Sequence, residues 1–255
     1  MTDTMRLIAL QKLPLIRPGD DLAALLATAI ERGPGAIESG DVLVVAQKIV
    51  SKAEGRIVDL ATVTPGAEAF RLARETEKDP RLVQVILDDS RRVVRCRPGV
   101  LIVEHRLGYV MANGGVDRSN VDPAAGAEPV LLLPRDPDAS ARQLREALGA
   151  QLGIAPAVII NDSFGRAWRR GTSGVALGAA GLPALLDLRG QPDLFGRSLR
   201  VTEIGFADEI AAAASLLMGQ AAEGRPAVLV RGLAWFAPES PAAALLRAAE
   251  EDLFR

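Results

Sequence analysis

The chain has 255 residues, of which 49% are apolar, so it can bury a sizeable core. Its 30 basic and 32 acidic side chains give a net charge of -2, which favours neither a nucleic acid nor a membrane surface as partner. The single cysteine, Cys96, excludes an intrachain disulfide. One cysteine and one histidine, His105, cannot form a closed zinc site, so any metal would take oxygen ligands, as magnesium, manganese and calcium do.

Nothing in the sequence predicts targeting to a membrane. The stretch Met1–Gln11 lacks the apolar region of a signal peptide, and no apolar run reaches the roughly 20 residues of a membrane span. We therefore expect a cytoplasmic protein whose residues 1–255 form one unit, or two intertwined subdomains within it.

Apolar runs that alternate with amphipathic stretches predict a mixed α/β (α+β) fold. In chain order, the pattern predicts strand Leu7–Leu10, helix Asp20–Glu31 capped by Asp20, strand Asp41–Val45, helices Ala67–Thr76 and Pro80–Asp89, strands Val93–Arg97, Val100–Glu104, Gly108–Ala112 and Val130–Leu133, helix Asp138–Leu152, strand Ala157–Ile160, helix Ile204–Met218, strand Ala227–Val230 and helix Pro241–Leu253. The three strands between 93 and 112 are separated by tight turns, so we expect them to form an antiparallel patch.

Two segments carry hard oxygen ligands directly after predicted strands. Asp162 and Ser163 follow a buried strand, and ligands collect at such strand ends in α/β folds. Asp117 follows Asn113-Gly114-Gly115, where glycines permit a ligand to approach the backbone. Both segments suit magnesium or manganese. The alternatives are a helix cap at 162–163 and an ordinary polar turn at 113–120.

Basic and glycine-rich segments suggest anion binding. Arg166, Arg169 and Arg170 surround Trp168, and we interpret them as lying near phosphates or an acidic substrate; the alternative is a solvated basic turn. The glycines between 171 and 181 permit close backbone packing or anion contact through amides. The segment 218–226 has glycines at Walker spacing but follows a helix and lacks Lys-Ser/Thr, so it is not a P-loop.

Taken in order, these segments resemble the coenzyme F420-0:L-glutamate ligase family. The matching stretches are Leu13–Ile16, Gly40–Val45 running into Ser51–Arg56, Asn113–Asn120, Asn161–Ser163 with Gly165-Arg166, Arg169–Gly171, Ala207–Ala211, Leu217–Gly219, Pro226–Val228 and Val230–Leu233. They span nearly the whole chain, and the ordered set is more specific than any member.

The resemblance implies a fold of the family's own type, with a central mixed sheet and an antiparallel portion. It also implies an enzyme that uses GTP to activate the terminal carboxylate of F420-0 as an acyl phosphate, which the amino group of L-glutamate then attacks. Further rounds add γ-linked glutamates. Two divalent ions (Mg2+ or Mn2+), K+ and a homodimer are further expectations.

The resemblance also assigns residues. It matches Asp117 and Asp162 to metal-binding carboxylates, Ser163 to a hydroxyl ligand and Gln220 to a weaker ligand. The positions that match GTP contacts are Leu13, Pro14, Leu15, Ile16, Gln47, Lys48, Lys52, Asn120, Met218, Gly219, Gln220, Ala221, Ala222, Glu223, Gly224 and Arg225. Two alternatives remain at this point: another metal-dependent carboxylate–amine ligase or phosphotransferase, and a non-catalytic nucleotide-binding module.

Overall fold

A computed structural model describes residues 4–122 and 126–252. Its strands are β1 Arg6–Ala9, β2 Val42–Ala46, β3 Ile57–Asp59, β4 Ser90–Arg97, β5 Val100–His105, β6 Val110–Ala112, β7 Pro129–Leu131, β8 Ala157–Arg166, β9 Arg169–Ala180, β10 Leu186–Asp187, β11 Glu203–Ile204 and β12 Ala227–Arg231. Its α-helices are α1 Leu22–Arg32, α2 Gln47–Ala53, α3 Ala67–Thr76, α4 Pro80–Asp88, α5 Pro137–Leu152 and α6 Phe206–Met218. In these residues we find no helix that combines the length and apolarity needed to cross a membrane.

A five-stranded mixed sheet forms the centre, in the order β1-β12-β2-β8-β9. The β2–β8 pair is parallel, whereas the other three pairs are antiparallel. The strands β4, β5 and β6 form a separate antiparallel sheet. The predicted mixed α/β fold, with a central mixed sheet and an antiparallel portion, is therefore confirmed.

Helices cover both faces of the central sheet because alternate residues of its strands point to opposite sides. On β2, Leu43 and Val45 join a core with residues of α1 and α5. Val42 and Val44 join a second core with residues of α6. A third core fills the space between α3, α4 and the β4–β6 sheet.

The glycine-rich segment between 171 and 181 was predicted to allow close packing or to contact an anion. Most of it belongs to strand β9, which sequence analysis did not predict. A Cβ atom on Gly178 would lie 2.1 Å from the carbonyl oxygen of Pro137, at the start of α5. One on Gly174 would lie 2.5 Å from the carbonyl oxygen of Ala211 in α6. These glycines allow helices to approach β9 closely, which decides in favour of close packing at both positions.

Other predictions also differ from the structure. Strand β8 continues to Arg166, so Asp162 and Ser163 lie within it. Helix α1 is capped by Asp21, whose side chain accepts from the N–H of Ala24, whereas Asp20 accepts from the N–H of Arg17.

The predicted helix Pro241–Leu253 is wrong for the residues that the structure describes, and Leu253 lies outside them. Short 3-10 turns form there at Ala242–Leu245 and Ala249–Glu251. The Asp138 carboxylate accepts hydrogen bonds from the N–H groups of Ala242 and Ala243. This tertiary contact overrides the helical propensity of an alanine-rich segment.

An ion-pair cluster joins the end of α4 to the end of β5 and to the segment between α2 and β3. The Asp89 carboxylate, at the end of α4, accepts from Arg56 Nη2 at 2.7 Å and from Arg106 Nε at 2.9 Å. The Nε2 atom of the buried His105 lies 3.7 Å away. Burial disfavours the charged carboxylate, but the imidazole and the two guanidinium groups outweigh burial and lower the pKa of Asp89 to about 2.

We predict that Gly178→Ala destabilises the fold by about 1–3 kcal/mol, because a backbone oxygen of α5 must move to admit the new methyl group. The matched control is Gly165→Ala on β8, where a Cβ would meet no described atom within 4 Å. Urea unfolding of both variants checks this. Equal stability of the two variants would contradict the packing argument.

Asp89→Asn should cost about 1–2 kcal/mol of unfolding free energy at pH 7, and this difference should shrink as the pH falls towards 2. The folded pKa of about 2 lies below the ordinary value of 3.8, so the stabilisation is present above about pH 4 and is lost as the carboxylate is protonated. Unfolding measured from pH 2 to pH 7 tests the sign. A difference that grows on acidification would refute this assignment.

Candidate active site

A cleft of about 900 Å³ opens where the parallel pairing of β2 with β8 ends. Ala46, the last residue of β2, pairs with Asn161, so Asp162 and Ser163 extend just past that end. The remaining walls are the segment after β1, the start of α2, the segment after β6 and the segment between α6 and β12. This position agrees with the general location of ligand sites in α/β sheets.

The residues predicted to bind nucleotide or metal all line this cleft. They are Leu13, Pro14, Leu15, Ile16, Gln47, Lys48, Lys52, Asp117, Asn120, Asp162, Ser163, Met218, Gly219, Gln220, Ala221, Ala222, Glu223, Gly224 and Arg225. Residues as distant in sequence as Leu13 and Arg225 therefore line the same cleft. Their roles toward a ligand stay predictions at this point.

Asp117 is held in an ionised, hydrogen-bonded state. Lys48 Nζ lies 2.8 Å from Oδ2 of Asp117, and the N–H of Ser119 donates to Oδ1 at 2.7 Å. Burial opposes the negative charge, but Lys48 and Ser119 outweigh burial and lower the pKa of Asp117. The carboxylate is thus available to a cation at neutral pH.

The pKa of Asp162 is shifted in the opposite direction. Burial raises its pKa to about 6, and the negative charge of Asp117 also raises it, while the N–H of Ser163 and the charge of Lys48 act in the other direction. Next to it, Ser163 Oγ donates to Gln220 Oε1 at 2.6 Å. The structure therefore joins Ser163 on β8 to Gln220 after α6.

Hydrogen bonds connect the loops around the cleft. Lys52 Nζ donates to the carbonyl oxygen of Asn120 at 2.6 Å, and the Asn120 amide donates to the carbonyl oxygen of Ala221 at 3.3 Å. Burial and the nearby charge of Lys48 lower the pKa of Lys52, although Asp122 acts against this. Two neighbouring lysines in one cleft make its interior attractive to anions.

The turn Asn113-Gly114-Gly115 explains the glycines of that segment. All three residues have positive φ, at 54°, 57° and 73°, and the N–H of Val116 donates to the carbonyl oxygen of Asn113. Residues with side chains disfavour this left-handed conformation. A Cβ on Gly115 would also lie 2.7 Å from the Leu133 side chain. The turn directs the chain into the cleft just before Asp117.

The segment 218–226 has both a structural and a lining role. Gly219 ends α6, with a φ of 74°. The Glu223 carboxylate accepts from the N–H of Ala221 at 2.8 Å, and backbone hydrogen bonds of this kind lower the pKa of Glu223. Gly219 is thus the C-cap of α6, and the same loop closes one side of the cleft.

The arginine cluster does not line the cleft. Arg166, Arg169 and Arg170 lie at the tip of the β8–β9 hairpin, where they are exposed together with Trp168 at 88%. Sequence analysis assigned no ligand role to five polar lining residues: Arg17, Asn113, Ser119, Asp122 and Asn161. All of them except Asn113 lie within two residues of a predicted site residue, and that adjacency was the available signal.

The donor set fits a cation bound together with an anionic ligand. Within residues 4–122 and 126–252, no three His, Cys, Asp or Glu side chains form a metal-binding group. Asp117 and Asp162, with the neutral oxygens of Ser163 and Gln220, supply few charged ligands. Magnesium commonly binds through one or two carboxylates and completes its shell with water and substrate phosphates.

Comparison with known proteins defines the class. A family model described as F420-0:Gamma-glutamyl ligase matches residues 11–232. Proteins named coenzyme F420:L-glutamate ligase include one from Methanothermobacter thermautotrophicus, 46% identical over 251 residues that cover 98% of both chains. Another, from Methanopyrus kandleri, is 47% identical over 244 residues that cover 94% of this chain and 93% of the relative.

These matches identify the chain as a ligase, which excludes the non-catalytic nucleotide-binding module. The chain belongs to the F420-0:gamma-glutamyl ligase family.

We predict that Asp162→Asn stabilises the ligand-free protein by about 1–3 kcal/mol at pH 8 and changes it little at pH 4. The folded pKa of about 6 lies above the ordinary 3.8, so ionisation of the half-buried carboxylate costs stability increasingly as the pH rises through this interval. Unfolding in the presence of a chelator measures the difference. A destabilised variant at pH 8 would contradict the electrostatic description.

Proposed function

We propose that this protein adds L-glutamate to F420-0 in a GTP-dependent reaction of F420 biosynthesis. The observation that carries the proposal is one cleft that gathers the carboxylates of Asp117 and Asp162, two lysines and the loop 218–226 in a member of this ligase family. The relatives described above bear the name of this reaction, which supports F420-0 and glutamate as substrates.

The proposed reaction has two chemical steps. A carboxylate oxygen of F420-0 bonds to the γ-phosphorus of GTP while the bond to the β-phosphate oxygen breaks, giving an acyl phosphate and GDP. The glutamate amine then bonds to the acyl carbon, phosphate leaves with the electron pair of the C–O bond, and the amine loses a proton. Repetition on the product would add γ-linked glutamates.

Two divalent ions, Mg2+ or Mn2+, fit the oxygen groups described above. Asp117, Asp162 and Ser163 would hold them, with Gln220 as a weaker ligand. When bound, such ions neutralise phosphate charge. At Asp117 an ion would compete with the Lys48 ammonium, which lies 2.8 Å from that carboxylate.

The two lysines suit the phosphates of GTP. The ammonium groups of Lys48 and Lys52 donate hydrogen bonds into the cleft from one short helix, α2. In a partly buried site such donors offset phosphate charge more effectively than in water. Rearrangement of Lys52 away from the Asn120 carbonyl would free it for a phosphate oxygen.

The remaining GTP contacts follow from the lining. The segment Leu13–Ile16 and the loop Met218–Arg225 provide walls on two sides of the cleft, with Gln47 and Asn120 as polar groups between them. We further propose K+ stimulation, a homodimer and a cytoplasmic location.

Mass spectrometry of F420-0 incubated with the protein, GTP, glutamate and Mn2+ tests the proposal. The proposed reaction predicts a product heavier by one glutamyl residue, or by several, with one GDP released per addition. Omission of GTP should prevent the increment. No increment in the complete mixture would refute the proposed reaction, whereas GDP release with another carboxylate would indicate a different ligase.

Asp162→Ala should abolish glutamate addition, with at least a hundredfold loss of rate, because the carboxylate at the end of the parallel pair is removed. The matched control is Glu146→Ala, which removes an exposed carboxylate from α5 outside the cleft. Initial rates of product formation and circular dichroism measure activity and folding. Full activity of a folded Asp162→Ala protein would contradict the proposed role of Asp162 in glutamate addition.

A further inference from the structure

A buried amide oxygen beside the cleft has no assigned purpose. Asn161 precedes Asp162 on β8, lines the cleft and is 5% exposed. Its Oδ1 atom has no hydrogen-bond partner among the residues that the structure describes. Buried polar atoms are nearly always paired, so an acceptor left open next to a ligand site is a candidate for contact with the ligand.

The chemistry of the neighbours fixes the orientation of this amide. Ser215 Oγ donates its hydrogen to the carbonyl oxygen of Ala211 at 3.0 Å, so it can accept from Asn161 Nδ2, also at 3.0 Å. The same Nδ2 contacts Met218 Sδ, an acceptor, at 3.4 Å. A flipped amide would set its oxygen against two acceptors. The Oδ1 atom therefore faces away from Ser215 and Met218.

Because Asn161 Oδ1 is an acceptor unpaired within the described residues, only a group that donates a hydrogen bond can pair with it. Phosphate and carboxylate groups are acceptors at neutral pH, so neither can satisfy Oδ1; the partner must carry an N–H or O–H. Asn161 lies on the same face of β8 as Ser163, next to the strand end where the proposed reaction has its phosphoryl and acyl groups. The N–H-bearing group that this reaction brings to that centre is the amine of the incoming amino acid.

We propose that Asn161 Oδ1 accepts a hydrogen bond from the attacking amino group of the amino-acid substrate and orients it toward the acyl phosphate. This inference rests on the proposed function. Asn161 takes up no proton; it positions the nitrogen, which forms the amide bond while phosphate leaves. Ser215 is then a positioning residue, because it acts through the Asn161 amide.

The test separates amine positioning from carboxylate activation. Asn161→Ala and the wild type are assayed for glutamate addition, and for hydroxamate formation with saturating hydroxylamine, a small nucleophile that traps acyl phosphates. We expect kcat/KM for glutamate to fall about 10- to 100-fold, since one hydrogen bond at the reacting group is lost. The KM for GTP and the rate of hydroxamate formation should change less than about threefold.

Two further variants serve as controls. Ser215→Ala keeps Asn161 but frees its amide to rotate, so it should raise the KM for glutamate several-fold and leave hydroxamate formation unchanged. Gln84→Ala removes another side-chain amide, one that bonds Gly66 and Asp88 outside the cleft, and should alter neither reaction. Thermal unfolding of each variant reports folding.

Two results overturn the inference while the proposed function stands: an unchanged kcat/KM for glutamate in folded Asn161→Ala, or an equal fall in glutamate addition and hydroxamate formation. If Asn161→Ala does not fold, Ser215→Ala carries the test, and an unchanged KM for glutamate overturns the inference. A wild type that forms neither product overturns the proposed function and the inference with it.

Discussion

The parallel pairing of β2 with β8 is the constraint on which the site depends. In an otherwise antiparallel central sheet, these two strands run in the same direction and reach the same edge. Val45 pairs with Ile160 and Ala46 with Asn161, so α2 starts at the level where β8 presents Asp162. Lys48 and Asp162 are brought within electrostatic range by this register, and a shift of one residue would turn each side chain of β8 to the opposite face.

Charge is distributed unevenly within the site, and the distribution follows from burial. Asp117 lies beside Lys48 and keeps a lowered pKa, whereas Asp162 lacks an equally close cation among the described residues and has a raised one. A site that binds a polyanion with cations must hold carboxylates that the fold itself does not fully neutralise. Under the proposed function, the raised pKa of Asp162 reflects the energetic cost of keeping such a carboxylate in the cleft.

Much of the fold could be predicted because local and tertiary preferences agree. Helix α3 has the predicted bounds Ala67–Thr76, and continuous apolar runs located β2 and β12. Strand β9 escaped prediction because its glycines serve helix contacts that no local pattern encodes. The prediction of a helix after Pro241 was wrong for a related reason. The backbone N–H groups there donate hydrogen bonds to Asp138, a residue about 100 positions away.

The sequence predicted which residues line the cleft, but it did not predict the pKa shifts of the two aspartates. The ordered motifs identified residues from Leu13 to Arg225 that line one cleft. The arginines at 166–170 were assigned by charge, and they lie at a hairpin tip because β8 and β9 extend well beyond the sheet. Both aspartates are half-buried, and which of them would lack a close cation depends on tertiary packing, which a sequence pattern does not encode.

The strand order has a consequence for biosynthesis. Strand β12 lies between β1 and β2, and Arg231 at its end forms a bidentate pair with the buried Asp41. A nascent chain therefore exposes one edge each of β1 and β2 until residues 227–231 have left the ribosome. The central sheet can close only after residues 227–231 have been synthesised, so a truncated product lacking these residues would present unpaired strand edges for aggregation or capture by chaperones.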